Sequence, residues 1–127
     1  MKNLTKSYVY LSISGDNFDI DEFITLFNIK PTTTGTHRLG YNFLEYKIEA
    51  NDIYEGLEIA IDQLAKVFSQ KADIVKTYAI QKDLFIKVFV VIFKPKKDND
   101  CGVVLSNDII KFLYNIGAKI EVDMYNG

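Results

Sequence analysis

The sequence predicts an α+β domain built as a two-layer sandwich, a five-stranded mixed sheet with three helices mainly on one face, in the order β-α-β-α-β-β-α-β. Three observations predict it. Short runs alternate apolar and polar residues with period 2, longer stretches carry apolar residues at spacings of 3 and 4, and polar turn residues separate the two kinds. The 127 residues suffice for one core, so 1–127 reads as a single domain.

Tyr8 to Ser14 sets Val9, Leu11 and Ile13 against Tyr10, Ser12 and Ser14, the pattern of a half-buried strand. Gly15-Asp16-Asn17 turns the chain. Asp19 then offers an N-cap, Glu22 sits where a capping box would reach back, and Phe18 and Phe23 occupy the positions of a hydrophobic staple. Ile20, Phe23, Ile24 and Phe27 form the apolar stripe of a helix that stops near Asn28, because Pro31 disfavours helical geometry ahead of it. Ile29 to Gly40, rich in Thr, Gly and Pro, reads as a long irregular loop.

Tyr41 to Ala50 reads as a second strand with Leu44, Tyr46 and Ile48 on one face. Asn51-Asp52 opens a long helix whose stripe is Ile53, Leu57, Ile61, Leu64 and Phe68, with Gly56 a weak point in its first turn. Ala72 to Gln81 reads as a third strand and Leu84 to Phe93 as a fourth, joined by a tight Lys82-Asp83 hairpin. The run LFIKVFVVIF suits a strand covered on both faces or lying inside the sheet. After a polar loop from Lys94 to Gly102, Ser106 caps a last helix, Leu105 and Ile110 are placed to staple it, and Gly117 ends it. Ala118, Ile120, Val122 and Met124 alternate with charged residues in a final strand.

Composition narrows the function. Hydrophobic residues at 48% and charged residues at 25% are those of a chain that folds. A net charge of -2 argues against a nucleic-acid partner, since affinity for phosphates needs clustered Lys and Arg. Lys94, Lys96 and Lys97 cluster, but they flank Pro95 and precede Asp98 and Asp100, as in a solvated loop. The start MKNLTKSYVY lacks the apolar stretch of a secretory signal, and the apolar run Val88 to Phe93 is far short of the roughly 18 residues of a membrane span. A cytoplasmic location without membrane association is expected.

Catalytic and metal chemistry find little to work with. His37 and Cys101 are the sole histidine and cysteine, so neither an internal disulfide nor the usual zinc set of His and Cys can be assembled, and a Cys-His nucleophile would have to join two distant loops. No phosphate-loop or nucleophile-elbow motif occurs. Asp16, Asp19, Asp21 and Glu22 could converge on a hard cation, although first-turn acids also suit the helix dipole. Asp98-Asn99-Asp100-Cys101-Gly102 resembles the start of a calcium loop with its glycine one place early, and a plain turn explains it better. No enzyme activity, no cofactor and no metal are therefore expected. An enzyme would call for a deep pocket joining Asp16, His37 and Arg38.

Two binding surfaces remain. In the loop, Thr34, Thr36, His37 and Arg38 could hold an anion through hydroxyls, backbone N–H groups and one guanidinium, or the threonines could simply bond their own turn. On the sheet, helices confined to one side leave the other open, where Tyr8, Tyr10, Tyr41, Phe43, Phe85 and Phe89 would form an apolar patch. A strand or loop covering these rings within one chain is the alternative.

The segments YVYLSISGDNFDIDEFITLFNIKPT and LSNDIIKFLYNIGAKIEVDMY, with the long helix between them, resemble the mostly bacterial domain of unknown function family 4279 over nearly the whole chain. The resemblance implies a stand-alone bacterial domain and brings no activity, cofactor or catalytic residue. Members usually carry a Trp in the second strand, around Leu44 here, and this chain has none. By analogy with small bacterial immunity proteins, the expected function is non-catalytic recognition of a protein partner, as a toxin antidote or another binder. The alternatives are anion sensing by the 29–40 loop and pairing of two chains as a homodimer through the open face.

Overall fold

The computed structural model describes residues 6–50, 55–94 and 102–126. Three expected features lie outside them: the Asn51-Asp52 helix start with Ile53, the lysines 96 and 97 beside Pro95, and the segment Asp98–Cys101. Five strands form one open sheet in the order β2-β3-β1-β4-β5. The central strand β1 (Tyr8–Gly15) pairs antiparallel with β3 (Asn42–Glu49) on one side and with β4 (Phe85–Lys94) on the other. The edges are β2 (Thr33–Thr36), antiparallel to β3, and β5 (Lys119–Asn126), parallel to β4. The sheet is mixed, as expected.

The helical layer lies against one face. Val9, Leu11 and Ile13 of β1, Leu44 of β3 and Ile86, Val88, Val90 and Ile92 of β4 point into it and join a single core cluster with the buried side chains of every α-helix. Helix α1 (Ile20–Phe27) starts as expected: Asp19 Oδ1 accepts from the Glu22 N–H at 3.0 Å, and Phe18 meets Phe23 edge to face at 5.6 Å. It ends at Asn28, whose φ of 51° is the left-handed conformation Asn tolerates. Glu22 has another role than the expected capping box. Its Oε1 accepts from the Tyr78 hydroxyl at 2.6 Å, and Lys82 lies 3.9 Å away.

Helix α2 (Glu55–Phe68) buries Leu57, Ile61, Leu64 and Phe68 as its spacing predicts, and Gly56 falls in its first turn. A 3-10 turn (Ser69–Lys71) leads into α3 (Ala72–Lys82), so 55–82 is one helical run and the third expected strand is a helix. Ala72, Val75, Tyr78 and Ala79 are its buried residues, at helical spacing, whereas Ile74 and Ile80 are 58% and 71% exposed. Apolar residues on both flanks blur the period, and Ile, Val, Thr and Tyr give the segment a β-rich composition. The Lys82-Asp83 hairpin is correspondingly a helix C-cap: Asp83 takes φ 56° and its N–H, with that of Leu84, returns to the last carbonyls.

The missing fifth strand comes from the segment read as loop. Thr33–Thr36 pairs with Asn42–Glu45 of β3, although TTGT shows no apolar alternation. Helix α4 (Asn107–Ile116) crosses from β4 to β5, capped by Ser106 Oγ, which accepts from the Ile109 N–H at 3.2 Å, and ended by Gly117 at φ 73°. Leu105 packs against the core, while Ile110, the other half of the expected staple, is 53% exposed. No described helix is long and apolar enough to cross a membrane.

A strand over 72–81 would place Tyr78 and Ile80 on one face; the helix separates them. We expect Ile80→Lys to change stability by less than about 0.5 kcal/mol in urea unfolding. Tyr78→Ala should cost about 3 kcal/mol or more, as loss of a buried ring does. Equal costs would return the segment to a strand.

Candidate functional site

Alternation along the strands gives the second face its own set of residues. Rows across the sheet, read through the strand register, run Glu49–Tyr8–Val91–Asp123, then Lys47–Tyr10–Phe89–Glu121, then Glu45–Ser12–Lys87–Lys119, and last Phe43–Ser14–Phe85. No described helix lies on this face; helix side chains join the core on the other side. The rings cover one another instead. Tyr10 stacks on Phe89 at 4.6 Å and on Tyr8 at 5.9 Å, and Phe93 stacks on Tyr125 at 5.4 Å. Beneath them Val91 is 4% exposed, the one buried apolar residue among those described that is not part of the main core. Phe85, by contrast, is 70% exposed.

Two small side chains on the central strand open a groove in this layer. Ser12 and Ser14 form its floor, with Phe43 and Glu45 on one bank and Phe85, Lys87 and Phe89 on the other. Tyr10 lines it, and His37 and Tyr41, stacked at 4.4 Å and 7° to each other, belong to the same lining. Its volume is about 300 Å³, and Ser14, Tyr41 and Phe85 also line an adjoining hollow of about 260 Å³ bordered by Asp16, Asn17, Lys82 and Asp83. Gly35 of β2 belongs to the construction: a Cβ there would come within 2.9 Å of the Phe43 ring, so glycine lets that ring lie across the edge strand.

The hairpin from β2 to β3 positions the histidine. The His37 N–H donates to the Tyr41 carbonyl at 2.7 Å, the Gly40 N–H to the His37 carbonyl at 2.8 Å, and the Leu39 N–H to His37 Nδ1 at 3.1 Å. With Nδ1 accepting, the neutral imidazole carries its hydrogen on Nε2.

All six expected aromatic residues, Tyr8, Tyr10, Tyr41, Phe43, Phe85 and Phe89, belong to this face or its groove. The four loop residues are divided. Thr34 pairs with Leu44 on the helix side of the sheet, and Thr36 donates to Asn42 Oδ1 at 2.8 Å; both border a hollow with Asp19 and Asp21. His37 borders the groove, and the exposed Arg38 borders neither. Asp16 lies by the adjoining hollow, so it shares no lining with His37. Of the acidic cluster, Asp19 caps α1 and Glu22 bonds Tyr78; among the described residues no three His, Cys, Asp or Glu side chains are grouped to hold a metal ion.

Sequence reasoning missed Phe93, Tyr125, Ser12, Ser14, Glu45 and Lys87. The last four share the alternation parity of Tyr10, Phe43 and Phe89, which was the available signal.

The charges in the groove are unequal in their pairing. Lys87 Nζ lies 2.9 Å from Glu121 Oε1 and 4.9 Å from the Phe89 ring centroid. The Glu45 carboxylate has no hydrogen-bond or ion-pair partner among the described residues; Lys47, on the same face, has its Nζ 4.2 Å from the Tyr8 ring centroid. Burial raises the Glu45 carboxyl above its ordinary value, and Lys47 offsets this only in part. Burial, followed by the nearby Glu45 carboxylate, pushes the Tyr10 phenol up to about 12.

The folded chain thus holds a proton on Glu45 at a pH where the unfolded chain has released it. The resulting penalty is absent below the ordinary carboxylate value and fully present above the raised one. We expect Glu45→Gln to raise the melting temperature at neutral pH by about 1–3 °C, a small effect because the group is partly exposed, and the difference to close near about pH 4. Thermal scans across pH check this.

No curated protein and no solved structure matches the chain. A family model described as a domain of unknown function, DUF4279, matches residues 5–127, which takes in both quoted segments, the open face and the groove. Leu44 is fully buried in the core and faces away from the groove. The chain belongs to the DUF4279 family.

Proposed function

We propose that this chain is a non-catalytic recognition domain that binds a protein partner through its open sheet face. One observation carries the reading: a continuous layer of rings in contact, from Tyr10 and Phe89 through Tyr8 to Phe93 and Tyr125, stands outside the core with a groove beside it. Aromatic side chains are enriched at the centres of protein interfaces, and they lose little conformational entropy when they are already packed on one another. The paired strands β1, β4 and β5 present them without a loop rearrangement. Neutralisation of a toxic protein, as an immunity protein does, is the form of recognition the sequence suggests by analogy.

Side-by-side affinity capture with the wild-type chain and a Tyr10→Ala, Phe89→Ala double variant tests the reading, with the products of adjacent genes as baits. The expected outcome is a partner that the wild type retains and the double variant loses by at least about tenfold, since interface aromatics are common hot spots. Circular dichroism is expected to show the double variant still folded, because both rings lie outside the main core. A partner retained equally by both chains, or none at all, would refute the reading. Light scattering of the same samples tells a second copy of this chain from a different protein.

A further inference from the structure

Among the described residues that line the groove, the carboxylate of Glu45 has no hydrogen-bond or ion-pair partner and the cation of Lys87 has one. Lys87 is matched by Glu121 at 2.9 Å, so the charge left over at the groove is that of Glu45. On the floor, the Ser12 and Ser14 hydroxyls make no hydrogen bond with any described residue, which leaves two further acceptors beside the carboxylate. The other lining residues carry rings, Phe43, Phe85, Tyr41 and the His37 stacked on it among them. A carboxylate, two hydroxyls and aromatic side chains around about 300 Å³ are complementary to a flat cation with several donors.

We propose that the groove receives the guanidinium of an arginine side chain from the protein partner, with Glu45 as its counter-ion and the aromatic wall stacked on its plane. This deepens the recognition reading and rests on it. Guanidinium suits the groove better than ammonium, because it is planar, weakly hydrated and always charged, and presents five donors in a fixed fork. The raised Glu45 carboxyl is consistent with the same arrangement: a carboxylate kept partly desolvated, which Lys47 offsets only in part, gains a direct counter-ion on binding.

The probe is acetyl-arginine amide, titrated into the full chain and followed by two-dimensional amide NMR, with acetyl-citrulline amide as the uncharged isostere. Expected are saturable shifts centred on Ser12, Ser14 and Glu45 with a millimolar Kd, as befits a ligand of this size. Glu45→Gln should weaken binding at least fivefold, Ser12→Leu should abolish it by filling the floor, and the citrulline compound should not bind. Glu45→Gln is expected to fold at least as well as the parent, so a loss there is a loss of the counter-ion. Absence of saturable shifts in the wild type, or equal affinity in Glu45→Gln, overturns the inference. If the ring-dependent partner is still captured while the arginine probe fails, the recognition reading stands and only the guanidinium assignment falls; loss of the partner with a responsive probe separates the two in the other direction.

Discussion

Strand β1 is hydrogen-bonded along both of its edges, and its seven residues from Tyr8 to Ser14 set the register for β3 and β4. Val9, Leu11 and Ile13 are fully buried on one side, and the residues between them face the other way. A slip of one residue would exchange the two sets and place serines and tyrosines in the core. The register therefore determines the packing of the helices and the composition of the open face together. Ser7 extends the constraint at the start of the strand: its carbonyl accepts from the Ala50 N–H at 2.8 Å, and its hydroxyl accepts from the Phe93 N–H at 3.0 Å.

The two faces solve different problems. On the helix side, aliphatic and aromatic side chains from the four described α-helices exclude water from a single cluster, the source of most of the folding free energy. On the other side, rings are stacked only one layer deep, enough to bury Val91 but not themselves. Glu45 and Lys87 stand in that layer with the rings, and partial burial of a carboxylate without a partner works against stability. Costs of this kind are found at functional or strained sites.

The helical layer is tied together by polar contacts at its margins. Tyr78 packs edge-on against Phe23 and Phe27 and donates to Glu22, joining α3 to α1. Lys71 Nζ donates to the Phe27 carbonyl at 2.8 Å, satisfying one of the carbonyls left open at the end of α1.

The sequence by itself determined whatever depends on neighbours along the chain. Asp19, Asn28, Ser106 and Gly117 mark helix ends through bonds to residues no more than a few places away, and the alternation in β1, β3 and β4 already sorts Tyr8, Tyr10, Phe43, Phe85 and Phe89 onto one face. Tertiary structure decided the rest. Residues 72–82 carry β-branched and aromatic side chains that suit a strand, and burial of Val75, Tyr78 and Ala79 in the core makes them a helix. Thr33–Thr36 has no pattern of its own and becomes a strand because β3 offers it hydrogen-bond partners. The groove is likewise beyond local reading: its lining comes from three strands and a hairpin, and only their register sets two serines between two aromatic banks.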